Sequence, residues 1–547
     1  MVGRGSTSDT AMTMILLVQP PVLIPSGPPL SLAILYSSLQ AAGVDTQVLD
    51  ANLDAYLYLL DEKRLSALAA DEPKTSIHRA LKHCQQSLDL LRSAEGATSF
   101  SRYSTAVRYL NLLLSLWSKD NPGERLTLGD YQYKTYSVFN PDHLSLFSSG
   151  QARTLFYPYF ETELLSSIAT EQPQYVAISI NYLHQIFPAF ELAGLLQRDY
   201  PDIKLIAGGG LLTSWQEPLR QHNLNLPPFD HLVFGPGEAS LVALTTGQVH
   251  TNHYFADASI LNFIPDFSFA EHHRYLSPQP LLSVSASRGC YWRKCLFCPE
   301  ATAPVHPYGS FQPTEFPDLL LQLSEQYAVT NFHLTDNAIP INILKCMAER
   351  HTDLQHLSWF GFVRFESVLE NPDFVRQLAV AGCRMLQLGL ESGSQPVLDS
   401  LGKGLKLEAA VRILDNLNEA GIVSYVYIML GTPGETEADA EMTLNFLERH
   451  AEKIGFLNIS IMNLPRGSEL LDNPGLYGID SSRLRDEKSP LGLYHEFHSI
   501  SGWDRATARK FLNQRLLGSA IIREIVQRNP PFFSSNHAFF FPKKVEQ

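Results

Sequence analysis

The chain has 547 residues, 45% hydrophobic and 18% charged, with 42 Lys and Arg against 56 Asp and Glu for a net charge of −14. This length exceeds a single core and predicts two or three domains, while the acidic balance argues against a broad nucleic-acid-binding surface. Six cysteines in so long a chain exclude a disulfide framework and place it in a reducing, cytoplasmic compartment; no run of about 18 apolar residues predicts a membrane span.

Residues 1–13 are small and polar, lack the apolar segment of a signal peptide, and read as a disordered tail. The apolar run 14–19, stopped by Pro20 and Pro21, predicts a buried parallel strand. A helix over 28–42 ends at Gly43, and a second strand over 46–49 closes at Asp50. Further strands at 175–180, 203–207 and 231–234, with helical patterns between most of them, predict a doubly wound α/β domain over 14–250. Residues 51–170 interrupt it as a Leu-rich helical insert, and 251–280 read as a linker. A second alternation has strands at 281–286, 331–335, 358–363, 384–390, 423–430 and 456–461, with helices such as 314–327, 405–420 and 435–450. Six βα units over 281–470 predict an open partial barrel, since eight close one. The extension 471–547 ends in Ala538-Phe-Phe-Phe-Pro542, a sticky segment expected to pack on a neighbouring surface.

Cys290, Cys295 and Cys298 lie in the run 287–300 with spacing C-x4-C-x2-C. Three thiolates hold three irons of a 4Fe–4S cluster and leave the fourth open to a small molecule. The other cysteines, Cys84, Cys346 and Cys383, are scattered. In βα barrels the site lies where strands end. Asp336 and Asn337 follow the second barrel strand, Arg364 the third, Glu391 to Ser394 the fourth, and Gly431 to Thr436 the fifth. Structural alternatives stand beside these readings. His306 completes a Cys3His set for a non-enzymatic zinc module. Asp336 and Arg364 pair with each other, Glu391 caps a helix, and Gly431-Thr-Pro-Gly is an ordinary turn.

The cysteine run with a barrel behind it resembles the radical SAM superfamily, whose usual motif is C-x3-C-x2-C with an aromatic before the last cysteine. Phe297 holds that place; the first spacing here is one residue longer. The resemblance implies a 4Fe–4S cluster on the three cysteines, S-adenosylmethionine on the open iron, and reductive cleavage to a 5′-deoxyadenosyl radical. It also implies an electron donor such as flavodoxin or ferredoxin and a small-molecule or peptide substrate. By the same resemblance Phe297, Asp336, Asn337, Arg364, Glu391, Ser392, Ser394, Gly431, Gly434 and Ile459 surround S-adenosylmethionine.

The first half resembles the Rossmann-like cobalamin-binding domain that precedes many such (βα)6 TIM-like barrels. The matching stretches contain Gly208, Gly209, Gly210 and Thr213, then Gly235, Gly237 and Glu238, all after strands. Bare backbone there lets a bulky ring or phosphate approach closely. The motif D-x-H-x-x-G is absent, so no lower axial histidine is expected; Asn181, Tyr182 and His184 follow the third strand and are candidates to face a corrin. The layout implies cobalamin-dependent methylation of an unactivated carbon. The alternative is a cobalamin-free radical SAM enzyme, performing cyclisation or rearrangement, with a structural first domain.

Overall fold

The computed structural model describes residues 13–119, 121, 123–248, 253–255, 263–298, 300, 308–485 and 489–541. The expected tail, except residue 13, and part of the expected linker lie outside these residues, as does His306.

The first sheet contains β1 (Met14–Val18), β2 (Asp45–Leu49), β3 (Tyr175–Ser179), β4 (Lys204–Gly208), β5 (His231–Phe234) and β6 (His253–Phe255). Their order is β2-β1-β3-β4-β5-β6, all parallel. Side chains alternate between two cores. Leu16, Val18, Val176, Ile178, Leu205 and Ala207 join one, and Ile15, Leu17, Ala177, Ile206 and Val233 the other. Both faces are covered, which is why these strands read as continuous apolar runs. The chain leaves β1 first toward one edge and then toward the other, so the crevice for a ligand opens between the ends of β1 and β3. The edge strand β6 was not expected. It is only three residues long and falls in a stretch with no clear period.

The insert is helical over most of its length, with helices such as Ala51–Leu59, Cys84–Leu91 and Phe100–Leu114, and it also carries a two-stranded hairpin, Glu124–Leu126 with Tyr131–Tyr133. Beneath the hairpin Glu191 is buried and accepts from the Thr154 backbone N–H at 3.0 Å and from the Thr154 hydroxyl. Burial pushes its carboxyl up to about 8, with the Thr154 bonds pulling down and nearby Glu124 adding to the rise. The folded chain therefore keeps a proton that the unfolded chain releases at its ordinary carboxylate value, and stability falls as pH rises toward 8. In Glu191→Gln that fall is absent: thermal melts between pH 5 and 8 show a flatter Tm profile than the parent, and parallel profiles contradict this account.

The second sheet contains β7 (Leu281–Val284), β8 (Asn331–Leu334), β9 (Ser358–Val363), β10 (Cys383–Glu391), β11 (Val423–Leu430) and β12 (Phe456–Ile461). They are parallel and stand in sequential order. Sequential right-handed crossovers place every connecting helix on one face. That face is apolar: Leu282, Val284, Phe332, Leu334, Trp359, Leu386, Leu388, Val426 and Ile428 share a core with the helices. The opposite face is the lumen of a partial barrel. Its floor is Leu281, Phe360, Met385, Tyr425 and Phe456, closed from below by Ala538 and Phe539. Phe539 stacks on Phe360 with ring centroids 5.1 Å apart. The sticky C-terminal segment thus plugs the barrel, and His537 just before it meets the Tyr103 hydroxyl of the insert at 2.6 Å.

The domains are strapped together. The Leu276 N–H donates to the Pro25 carbonyl, the Asp266 N–H donates to the Ala33 carbonyl, and the Tyr275 hydroxyl donates to Asp50 at 2.8 Å. Ala33, on helix α1 (Leu30–Ala41) of the first domain, lies in the core of the second. Among the described residues no helix is long and apolar enough to cross a membrane.

Candidate active site

The strand ends of the two sheets face one cavity of about 430 Å³. The first domain lines it with Gly208, Gly209, Gly210, Thr213, Gly235, Gly237 and Glu238, and also with Asn181. The second domain contributes Ser285, Ser287, Arg288, Gly289, Glu300, Thr335 and Asn337, which surround the cysteine loop. All seven residues of the glycine-rich stretches therefore stand in the same space as the loop, and of the three candidates to face a corrin only Asn181 does. Its deeper walls are apolar, with Ile34 and Leu35 from α1 facing Ala177, Ile206, Val233 and Leu241.

Local rules explain the crest. Gly209 has φ 111°, and a Cβ there would meet the Ile180 carbonyl oxygen at 2.5 Å, so no other residue fits. The Thr213 hydroxyl donates to the Gly209 carbonyl at 2.8 Å and accepts from the Gly235 N–H at 3.1 Å, tying two strand-end loops together. Glu238, in the first turn of the helix Glu238–Thr245, pairs with Arg288 across the domain boundary. No histidine lines the cavity among the described residues; His184 instead pairs with Asp130 at 3.0 Å, and Tyr182 is exposed.

Cys290, Cys295 and Cys298 are partly exposed and free of disulfides. Burial pushes the Cys298 thiol up to about 11 and also raises Cys295, against the nearby cations Lys403 and Arg364. Among the described residues no three His, Cys, Asp or Glu side chains converge to hold a single ion. A cubane cluster spreads its thiolates around an iron tetrahedron, wider than the ligands of one ion. Three thiols on one loop, with two cations beside them to balance thiolate charge, suit such a cluster.

The remaining expected residues fall into two groups. Asn337 opens on the cavity and hydrogen-bonds Glu300. Phe297 packs against the cluster of Met462, Leu464, Leu470, Ile479 and Phe497. Gly431 and Gly434 stand at the end of β11, where buried Glu435 gathers the N–H groups of Gly431 and Thr432 and the Trp503 indole. The others are engaged within the protein. Asp336, buried and pushed up to about 6 by that burial, accepts from the Ala286 N–H at 3.0 Å and from the Ser287 hydroxyl, fixing the entry to the cysteine loop. Each nitrogen of Arg364 has a partner: Glu366, Cys295 and the Lys403 carbonyl. Glu391 pairs with Lys403 at 2.7 Å, at a bulge where its own φ is +67° and where Gly389 leaves the room. Ser392 and Ser394 are buried and bind Thr443 and Asp439 of the helix Glu437–Arg449. Ile459 lies partly buried against the helix-side core.

Sequence reasoning missed Arg288, Trp292, Glu300, Glu366 and Lys403. The first three lie inside the run 287–300 and were legible as polar or aromatic residues among the ligands. Glu366 and Lys403 come from loops after β9 and β10, and only the fold brings them there.

Residues 284–447 match the radical SAM superfamily. The chain is 21% identical over 190 residues to an uncharacterised methyltransferase of Pyrococcus horikoshii, covering 34% of this chain and 41% of that protein. It is 24% identical over 315 residues to the anaerobic magnesium-protoporphyrin IX monomethyl ester cyclase of Rubrivivax gelatinosus, covering 52% and 55%. The chain thus spans about half the length of these curated relatives. In fold it is similar to TsrM, a radical S-adenosylmethionine methyltransferase of Kitasatospora setae. The TM-score is 0.52 at 16% identity with the form bound to tryptophan and aza-SAM, covering 94% of this chain and 89% of that one. For the form with cobalamin and a 4Fe–4S cluster it is 0.50 at 15% identity, covering 90% and 84%. The radical SAM match thus covers the cysteine loop and most of the second sheet, and the chain shares the two-domain fold of TsrM.

Proposed function

We propose that this protein is a radical SAM enzyme that holds cobalamin in the cavity between its domains and methylates an unactivated carbon. The observation that carries the reading is the shared cavity: the glycine crest of the first sheet and the cysteine loop of the second open into one space. When bound, the cluster and S-adenosylmethionine supply a 5′-deoxyadenosyl radical and cobalamin supplies a methyl group.

The chain's own residues set the geometry. Cys290, Cys295 and Cys298 are the cluster ligands. Gly208, Gly210 and Gly237 would let a corrin edge approach bare backbone, beside the apolar walls from Ile34 to Leu241. Among the described residues the cavity would offer no histidine to a cobalamin. Asn337 and Glu300 stand between the loop and the cavity, where S-adenosylmethionine has polar groups to satisfy. The lumen above the Phe360 floor takes the substrate, between Phe362, Tyr427 and Gln387; Gln387 donates to the Tyr427 hydroxyl at 2.9 Å. Its plugged base excludes water from below.

The test is anaerobic incubation of reconstituted protein with S-adenosylmethionine and dithionite. The reading predicts 5′-deoxyadenosine in the reduced sample and none without reductant. Absence of any cleavage product from protein carrying its full cluster contradicts it. Cleavage at the same rate with and without bound corrinoid, and no methylated product from substrates that turn over, favours the cobalamin-free alternative.

A further inference from the structure

Arg364 sits at the end of β9, buried against the cysteine loop. Its guanidinium stacks on the Trp292 ring at 3.9 Å. Nη1 donates toward the Cys295 sulfur at 3.7 Å, Nη2 donates to the Lys403 carbonyl at 2.7 Å, and Nε donates to Glu366 at 3.1 Å. The same Glu366 oxygen accepts from the Tyr291 hydroxyl at 2.8 Å. Three residues of the cysteine loop, Tyr291, Trp292 and Cys295, therefore converge on one ion pair that comes from outside the loop.

We propose that the Arg364–Glu366 pair sets the reduction potential of the cluster, with Arg364 raising it through the Cys295 sulfur and Glu366 restraining that rise. The inference rests on the reading that Cys290, Cys295 and Cys298 hold a 4Fe–4S cluster. Reduction adds one electron from an external donor, and with it one negative charge, to the iron–sulfur unit. A fixed cation and an N–H bond at a ligating sulfur favour the more negative state, so they raise the potential. The guanidinium cannot lose its proton, and its planar stack on Trp292 fixes where the charge stands. Glu366 offsets part of that charge at short range. Arg364 is accordingly a positioning residue that acts through Cys295.

The experiment is an EPR-monitored redox titration of reconstituted full-length protein and two variants, with iron and sulfide measured on each sample. Arg364→Met removes the charge and the donor. At a fixed solution potential it shifts the ratio of reduced to oxidised cluster about tenfold toward the oxidised form, roughly 59 mV for one electron. Glu366→Gln keeps the acceptor for Tyr291 and Arg364 and removes the opposing charge, so its midpoint moves the other way. Opposite shifts at full iron content are the expected result, and a disturbed loop does not produce them. Arg364→Lys, which keeps the charge without the planar fork, lies between Arg364→Met and the parent. Unchanged midpoints, or shifts of one sign in both variants, overturn the inference. If Arg364→Met assembles too little iron to titrate, the sign of the Glu366→Gln shift decides alone. Failure of the parent protein to assemble a cluster sinks instead the reading on which the inference rests.

Discussion

Cys298→Ala yields a folded protein that cannot complete its cluster and cleaves no S-adenosylmethionine. Cys298 ends the turn in which its N–H donates to the Cys295 carbonyl at 3.1 Å, so the backbone path does not depend on its sulfur. Alanine keeps that path and removes one of three ligands, and the chain offers no fourth cysteine nearby. Iron per chain falls well below that of the parent, and production of 5′-deoxyadenosine falls to background. Cys346→Ala is the control. Cys346 is a buried side chain on the helix Ile341–Glu349 that does not line the cavity, and its loss leaves iron content at the parent level. Retained cleavage in Cys298→Ala contradicts the assignment of the cluster ligands.

Gly210→Phe keeps the fold and expels the corrinoid. Gly210 opens the short helix Gly210–Ser214 and lines the cavity; a Cβ there meets nothing closer than the Asn181 side chain at 3.8 Å. Its own N–H donates to the Asn181 side-chain oxygen at 2.9 Å, a bond that any residue except proline preserves. A phenyl group therefore projects into the cavity instead of into the sheet. Cobalamin retention drops by roughly tenfold or more, at least about 1.4 kcal/mol of binding, while Tm stays near that of the parent. The neighbouring Gly209→Ala behaves in the opposite manner. Its Cβ runs into the Ile180 carbonyl at 2.5 Å in a left-handed conformation, so Tm falls whether or not corrinoid is present. Equal corrinoid content in Gly210→Phe and the parent contradicts the placement of cobalamin in this cavity.

The fold was largely legible because its signals are local. Apolar runs such as 14–19 and 175–180 are strands buried on both faces, and the two alternations of strand and helix follow from the period of a few residues at a time. The cavity crest was legible for the same reason: Gly208 to Gly210 and Gly235 to Glu238 each follow a strand within a few residues. What eluded the sequence depends on partners far along the chain. Arg364 read as a residue beside S-adenosylmethionine or as a partner of Asp336, while its partners in the fold include Cys295, 69 residues away, and Lys403, 39 residues away. Glu391 is likewise held by Lys403, and Ser394 by Asp439, 45 residues on. A single chain without its fold carries no sign of which charges will meet. The hairpin at 124–133 and β6 are too short for their period to show, and the destination of the Phe539 segment, the barrel floor, is set by the shape of a lumen made from six separate strands.

The central claim is that one cavity serves two metallocofactors, and metal content measures it most directly. Protein purified without oxygen from cobalamin-fed cells is analysed for iron, sulfide and cobalt, and its visible spectrum is recorded. The account predicts about four irons and about one cobalt per chain, with the spectra of both an iron–sulfur cluster and a corrinoid. Iron without cobalt contradicts the claim and leaves a radical SAM domain whose companion domain only shapes the entrance; zinc in place of iron contradicts the enzyme reading as a whole.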